Sequence, residues 1–342
     1  MEIVDYYRST EQGNACIFFD LGWRYAYGEG MPKDDAQAVI WLHRAAELGH
    51  AEAQLNLGRM YDLGRGVAQN DEQAVAWTRK AAELGLADAQ FSLGWRYFQG
   101  RGVAQDDVQA ATWIRRAAEQ GHAFAQFRMG RMSLHGRGLA KDYTQAMAWY
   151  QRATEQGQLI AQSSIGELYF HGAGVAQDYS QAAAWFRRAA ELGLPEAQYY
   201  LGWMHAHGLG IAQDDVQAAT WYRRSAELGH PEAQFNLGEM YAKGQGVMQD
   251  AAWAVSWTRK AAKQGNADAQ SNLGLRYSQG EGVPQDYIQS YAWYSVSAAN
   301  GNAQAMEMRD LMAKQLTPEH VIEAQVLATR YSERSRLKSD WN

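Results

Sequence analysis

The chain has 342 residues, of which 46% are hydrophobic and 20% charged, and its formal net charge at pH 7 is -6. This mild acidic balance argues against a nucleic-acid-binding protein, which normally carries a basic stripe, and no polybasic segment suited to a membrane surface is present. No apolar run is long enough for a transmembrane helix, no leader pattern follows Met1, and the single cysteine, Cys16, excludes an internal disulfide framework, so we expect a cytoplasmic protein.

One pattern of 36 residues recurs eight times in tandem, in copies that begin at 15, 51, 87, 123, 159, 195, 231 and 267 and end at 302. A glycine at the eighth position falls in register in every copy, at Gly22, Gly58, Gly94, Gly130, Gly166, Gly202, Gly238 and Gly274. A tryptophan in the second half of every copy does the same, at Trp41, Trp77, Trp113, Trp149, Trp185, Trp221, Trp257 and Trp293. A fixed period of this length indicates stacked repeats, in which each unit buries its apolar face against its neighbours and the array presents a long surface.

The chain before the first copy resembles the second half of a repeat. Residues 8–13 align with residues 44–49 of the first copy. We therefore expect an N-terminal partial-repeat cap over 1–14, because stacked repeats need a shielded end.

Each copy predicts two helices, as residues 51–86 illustrate. Over the first thirteen of these residues the apolar side chains fall three and four apart, the stripe of an amphipathic helix, and Gly64 follows where a helix ends in a left-handed residue. Asn70, or Asp in the other copies, supplies the side-chain oxygen preferred at the start of the next helix. This second helix carries basic residues in its later turns and stops at Gly85, and its tryptophan is predicted to fill the core between stacked helices.

The pattern decays after residue 302. Residues 303–315 resemble a first helix without its glycine, and Thr317 followed by Pro318 predicts the cap and first residue of a last helix that ends near Arg334. We expect a C-terminal helical cap with a frayed tail over 303–342, and about nineteen helices in all.

The motif A-x-A-Q-x-x-L-G-x-x-Y-x-x-G-x-G-V-x-x-D-x-x-x-A-x-x-W-x-x-x-A-A-x-x-G resembles the Sel-1-like repeat, within the wider class of tetratricopeptide-type αα solenoids. The resemblance covers 15–302, with departures at Ser133 and His205, which replace the tyrosine, and at Trp253, which replaces a glutamine. It implies an all-α, right-handed αα-superhelical solenoid of eight repeats. It also implies an adaptor or scaffold without catalytic activity, whose first helices line a concave surface.

The second, sixth, ninth and thirteenth positions of each copy vary most, and their spacing of four, three and four puts them on one face of the first helix. We call this surface the first-helix face. The resemblance implies that this face forms the groove for a partner protein. Its candidate contact residues are Trp23, Tyr27, Arg59, Trp95, Gln99, Arg128, Arg131, His135, Glu167, His171, Tyr200, Trp203, His207, Glu239 and Lys243.

Three tryptophans are the strongest candidates on this face. Aromatic and arginine side chains are the types that anchor protein interfaces, which favours Trp23, Trp95 and Trp203 as partner anchors. The alternative is that these rings pack along neighbouring helices and stay half-buried.

Two other patterns resemble a metal site and a phosphate-binding loop, but their spacing and context argue against both. His135, His171 and His207 stand one repeat apart, and helices packed about 8–10 Å apart cannot bring them to one zinc ion with bonds of about 2.0–2.1 Å. The Gly-x-Gly turns join two helices and lack the G-K-[ST] of a phosphate loop. We therefore predict no metal and no cofactor.

No motif assembles an acid, a base and a nucleophile, so the sequence predicts a non-catalytic protein–protein interaction scaffold or adaptor. Its groove would capture a peptide, a helix or a folded partner. Three alternatives stay open: a specific inhibitor or immunity-type partner of a toxin or enzyme, a secreted bacterial effector or virulence factor, and a hydrolase without a recognisable motif. We expect a protein partner rather than nucleic acid or a membrane. The pattern leaves the oligomeric state open, with a monomer as the expectation.

Overall fold

The computed structural model describes the backbone of residues 2–339 and the side chains of residues 13–333. Over 2–339 it contains eighteen α-helices and no strand. The helices are α1 (Glu2–Tyr27), α2 (Asp35–Glu47), α3 (Ala51–Leu63), α4 (Asp71–Glu83), α5 (Ala87–Gln99), α6 (Asp107–Glu119), α7 (Ala123–His135), α8 (Tyr143–Glu155), α9 (Leu159–His171), α10 (Tyr179–Glu191), α11 (Pro195–His207), α12 (Asp215–Glu227), α13 (Pro231–Lys243), α14 (Ala251–Ala262), α15 (Ala267–Gln279), α16 (Tyr287–Ala299), α17 (Ala303–Ala313) and α18 (Pro318–Ser339). The chain divides into an N-terminal unit, Met1–Ala161, and a C-terminal unit, Gln162–Asn342.

The predicted all-α architecture of paired helices is confirmed. Within each unit helices pack in chain order, so that α2 contacts α1 and α3 in the N-terminal unit and α12 contacts α11 and α13 in the C-terminal unit. Over residues 2–339, no helix combines the length and apolar character that crossing a membrane requires.

The turns inside a repeat follow the predicted chemistry. α3 is followed by Gly64 at φ +64°, whose backbone N–H donates to the carbonyl of Met60. Asn70 then accepts a hydrogen bond from the backbone N–H of Gln73 at 2.9 Å and begins α4. A Cβ on Gly66 would overlap the carbonyl of Asp35 in the preceding repeat, so the second glycine of the turn lets successive repeats approach.

Several first helices begin at side-chain caps that the sequence pattern did not predict. His50 and His122 accept the backbone N–H groups of Ala53 and Ala125 through Nδ1, at 3.3 and 3.1 Å. Burial lowers the pKa of both imidazoles, which favours the neutral form that can accept this bond. Asn266 has the same role in the last repeat.

The glycine of each first helix is explained by a residue of the following second helix. A Cβ on Gly94 would lie 2.6 Å from the side chain of Ile114, and one on Gly202 would lie 2.8 Å from the ring of Tyr222. These partners differ from copy to copy, yet all of them are buried: Leu42, Thr78, Ile114, Tyr150, Phe186, Tyr222, Thr258 and Tyr294. The helices therefore pack around one variable core position opposite an invariant glycine.

The repeated tryptophans do not all lie in the core. Trp77, Trp257 and Trp293 are buried, but Trp41, Trp113, Trp149, Trp185 and Trp221 are only half-buried, so the prediction of a core role is wrong for these five. In every copy except the last, a basic side chain three residues later covers the ring, at distances to the centroid from 3.6 Å for Lys260 to 5.1 Å for Arg188. Cation–π contact therefore shields the rings that the core leaves half open.

The two ends differ from the predicted helix boundaries. α1 continues through Gly13, so the predicted cap over 1–14 and the next helix form one element, and the described chain has eighteen helices rather than nineteen. A single interior glycine weakens a helix by only about 1 kcal/mol, which makes this continuation possible. α18 extends to Ser339, beyond the predicted end near Arg334, and residues 340–342 of the predicted frayed tail lie outside the described residues.

Candidate partner-binding face

None of the candidate contact side chains on the first-helix face is buried. The exposed ones are Tyr27, Arg59, Gln99, Arg131, His135, His171, His207 and Lys243. The half-buried ones are Trp23, Trp95, Arg128, Glu167, Tyr200, Trp203 and Glu239. Positions that vary between copies in the first helices are therefore accessible to a partner in both units.

The three candidate tryptophans are half-buried and contact neighbouring rings and cations. The Trp23 ring lies 4.3 Å from Tyr27, and the Trp203 ring stacks on His207 at 4.2 Å between centroids. These contacts match the packing alternative. They also hold the rings in fixed orientations, which lowers the entropy lost when a partner binds.

Two clefts of the N-terminal unit form beside these tryptophans. The Trp23 cleft, of about 110 Å³, is lined by Trp23, Tyr27, Arg59 and Arg65 among others. The Trp95 cleft, of about 70 Å³, is lined by Trp95, Phe98, Arg128, Arg131, His135 and Arg137 among others. The fold thus brings candidates from consecutive repeats together in pairs, an arginine next to a tryptophan.

Two arginines of the Gly-Arg-Gly turns line these clefts and were missed from the sequence. Arg65 binds Asp35 at 2.6 Å and also donates to the carbonyl of Ala26 at 3.1 Å. Arg137 binds Asp107 at 3.0 Å in the same way. Hydrogen bonding to Arg65 lowers the pKa of the Asp35 carboxyl. The sequence contained a signal for these ion pairs, because the arginine of each turn lies thirty residues after an aspartate.

The opposite edge of the N-terminal face is acidic. A cleft of about 430 Å³ is lined by Asp20, Glu52 and Asp88, and it shares Trp23 and Arg59 with the Trp23 cleft. Glu52 and Asp88 lie in the first turns of α3 and α5, where a negative charge complements the helix dipole.

The equivalent cleft of the C-terminal unit has different chemistry. It is about 450 Å³ and is lined by Trp203, His207, Glu239 and Lys243 among others. Glu239 occupies the position of Arg59 and Arg131 and forms ion pairs with Lys243 at 3.1 Å and with the buried Arg276 at 3.4 Å. Its charge is already neutralised within the protein.

Tyr200 packs against other rings of the protein, although it is a candidate for contact with a partner. Its ring stacks on the buried Phe186 at 4.6 Å and lies 5.5 Å from Phe170. Burial, followed by the charge of Glu167, raises the pKa of the Tyr200 hydroxyl. The Tyr200 side chain is therefore half-buried and only partly accessible to a partner.

The face histidines are not gathered into a cluster of metal-binding side chains. His207 Nδ1 lies 2.8 Å from the carbonyl of Trp203 in its own helix. Among the residues that the structure describes, no group of three or more histidines, cysteines and acids could hold a metal ion.

Comparison with known proteins identifies relatives of the repeat and of the fold. A family model described as Sel1 repeat matches residues 19–50, 51–86, 87–122, 123–158, 159–194, 195–230, 231–266 and 267–302. No curated protein sequence matches the chain.

Several solved structures resemble the chain. A Sel1 repeat protein from Oxalobacter formigenes is 33% identical, with a TM-score of 0.74 over 91% of this chain and 90% of that protein. A protective antigen of uropathogenic Escherichia coli that displays an SLR fold is 30% identical, with a TM-score of 0.59 over 98% of this chain and 95% of that protein. An immunity protein from Pseudomonas aeruginosa is 19% identical, with a TM-score of 0.42 over 63% of this chain and 81% of that protein.

Proposed function

The chain belongs to the Sel1 repeat family, and from that premise we propose that it is a non-catalytic interaction protein that binds a segment of a partner protein on its first-helix face. Proteins of this family are generally protein-interaction scaffolds. The observation that carries the proposal is the pairing of aromatic and arginine side chains from consecutive repeats in the Trp23 and Trp95 clefts. Such side chains dominate the energetics of protein interfaces.

The shape of the binding surface favours an elongated ligand. The Trp23 cleft, the Trp95 cleft and the acidic cleft of the N-terminal unit lie between successive first helices rather than in one deep cavity, and the largest of these three is about 430 Å³. A peptide or helix that crosses several helices can fill small clefts in turn, whereas a compact small molecule would occupy only one.

A capture experiment with structure-matched variants tests the proposal. The full chain is immobilised beside a Trp95→Ala/Arg131→Ala/Trp203→Ala variant, and proteins retained from lysate are quantified by mass spectrometry. We expect a partner retained by the native chain and lost at least tenfold by the variant, since hot-spot truncations each weaken binding by about 2 kcal/mol or more.

A second variant controls for charge and apolar area. Val108→Ala/Arg115→Ala/Val216→Ala removes one cation and two exposed apolar side chains from second helices. Both variants should keep the native helical circular dichroism. Equal retention of every protein by the native chain and both variants would refute a role for the first-helix face.

A further inference from the structure

The Trp23 and Trp95 clefts share a tryptophan and two arginines in register. Trp95 follows Trp23 by two repeats, and Arg131 follows Arg59 by the same interval. The turn arginines that close the clefts, Arg65 and Arg137, also match in register. Both clefts lie in the N-terminal unit.

Each cleft contains at least one arginine that forms no ion pair within the described part of the protein. Arg65 is paired with Asp35 and Arg137 with Asp107, but no ion pair among the described side chains includes Arg59, Arg128 or Arg131. Each cleft therefore holds at least one cation without a carboxylate partner. An arginine guanidinium offers a planar fork of donors that matches a carboxylate.

The environment of Arg128 shows the same deficit of negative charge. Its guanidinium is half-buried and lies 4.2 Å from the centroid of the Trp95 ring. Burial, followed by the positive charge of Arg131, lowers the pKa of Arg128. A carboxylate placed between Arg128 and Arg131 would relieve this repulsion.

The intervening repeat shows what a carboxylate does at this location. There Asp62 binds Arg96 at 2.8 Å and Arg101, the equivalent of Arg65 and Arg137, at 2.9 Å. In the two flanking clefts the position of Asp62 is taken by Ala26 and Phe98, which supply no charge. An internal carboxylate therefore occupies this location in the middle repeat, whereas the flanking clefts have none there and contain arginines, Arg59 and Arg131, that form no ion pair among the described residues.

We propose that the Trp23 and Trp95 clefts bind two carboxylate side chains, Asp or Glu, of one extended segment of the partner protein. This inference deepens the proposed function and rests on it. Packed helices lie about 10 Å apart, so two repeats separate the clefts by about 20 Å, which about six extended residues span. The partner segment therefore carries two acids about six residues apart, with apolar neighbours that pack on the tryptophan rings.

The charge of the Trp23 cleft favours a carboxylate over a phosphate. Arg59 is its only cation without a partner among the described lining residues, and the acidic cleft on the other side of Arg59 repels a dianion. A single negative charge balances the cleft, whereas a phosphate of nearly two negative charges does not.

A random peptide library provides a probe that needs no known partner. Peptides of about twelve residues, the length needed for the spacing above with flanking residues, are displayed inside a carrier protein and selected on the full chain. A second library displays the same peptides with free carboxyl termini, which separates side-chain carboxylates from chain ends. Affinities of the enriched peptides are then measured for the native chain and for variants.

The expected result is enrichment of paired acids about six residues apart in the first library. Arg59→Ala or Arg131→Ala should weaken the enriched peptides roughly tenfold each, and the double variant roughly a hundredfold, because each charge-assisted hydrogen-bond pair is lost independently. The control Arg115→Ala/Arg187→Ala removes the same charge from exposed second-helix positions and should leave binding unchanged.

Three results would overturn the inference: peptides without paired acids, peptides that bind the Arg59→Ala/Arg131→Ala variant at full strength, or enrichment only in the library with free carboxyl termini. The proposed function fails separately. If the enriched peptides lose binding to Trp95→Ala but not to the arginine variants, the face is a binding site and the carboxylate assignment is wrong. If no variant of the face alters binding, both fail.

Discussion

A buried glutamine at the fourth position of six of the eight copies makes a graded prediction about stability. In two neighbouring copies the side-chain Nε2 of Gln54 and of Gln90 donates to a carbonyl of the preceding second helix, at 3.0 and 3.2 Å. The Oε1 of Gln90 accepts from Gln120 at 2.7 Å, but thirty residues after Gln54 the chain has Leu84, and the Gln54 Oε1 is buried without a hydrogen-bond partner. One residue therefore decides whether this acceptor is satisfied.

The magnitude follows from the two environments. Gln120→Leu should leave the Gln90 Oε1 unsatisfied, at a cost of about 1–3 kcal/mol. Leu84, the leucine already present at the equivalent site, is 57% exposed, so the new leucine would recover at most about 1 kcal/mol of apolar burial. We expect Gln120→Leu to lower the free energy of unfolding by about 1–2 kcal/mol and Leu84→Gln to raise it by about 0.5–1 kcal/mol.

Urea unfolding followed by far-ultraviolet circular dichroism measures both changes, with amide hydrogen exchange to locate them, because a repeat array need not unfold in one step. Gln73→Leu, the same substitution at an exposed position of α4, is the control. If Gln120→Leu and Gln73→Leu shift the midpoint equally, or if Leu84→Gln destabilises the chain, the glutamine contact does not contribute as argued.

Three further predictions concern pH, backbone geometry and the tryptophans. Because burial lowers the pKa of His122, its contribution to stability is complete above about pH 6.5 and decreases as the pH falls below that value; His122→Asn should remove this part of the pH dependence of the urea midpoint. Gly138→Ala meets the backbone of the preceding repeat and should destabilise by more than about 3 kcal/mol, whereas Gly157→Ala, with open space around it, should cost about 1–2 kcal/mol by thermal unfolding. Trp257→Ala should cost about 3–5 kcal/mol and Trp95→Ala at most about half of that, and equal losses would place Trp95 in the core.

The parts of the fold that could be predicted from the sequence are those with local causes. Gly64 ends α3 and Asn70 caps α4 because both effects act within a few residues of the chain. The helix pairs could be predicted for the same reason, since an apolar stripe and the signals at the two ends of a helix are local patterns. The fixed period then extended one correct prediction to every copy.

The contacts between repeats could not be read in the same way. The bond from Arg65 to Asp35 joins residues that are thirty positions apart, and the cap from His50 depends on burial that only the stacked repeats create. Histidine is a rare helix cap in general, so its preference gave no signal. The constant spacing of thirty residues between the aspartate and the arginine would have revealed this contact only if the way in which successive repeats stack had been known.

Variation between copies has two opposite causes in this chain, and this limits how far variability identifies a binding surface. Tyr150 and Thr258 occupy the same position in different copies, both fully buried, and they vary because each fills a differently sized space opposite its glycine. Arg131 and Glu239 also share a position, but both reach the surface, and there the variation is one of charge. Glu239 is matched by Arg276 within the protein, whereas no ion pair of the described residues includes Arg131. A varying position thus points to a partner only where it is accessible and its charge is not balanced internally, and in the described chain that combination occurs in the Trp23 and Trp95 clefts.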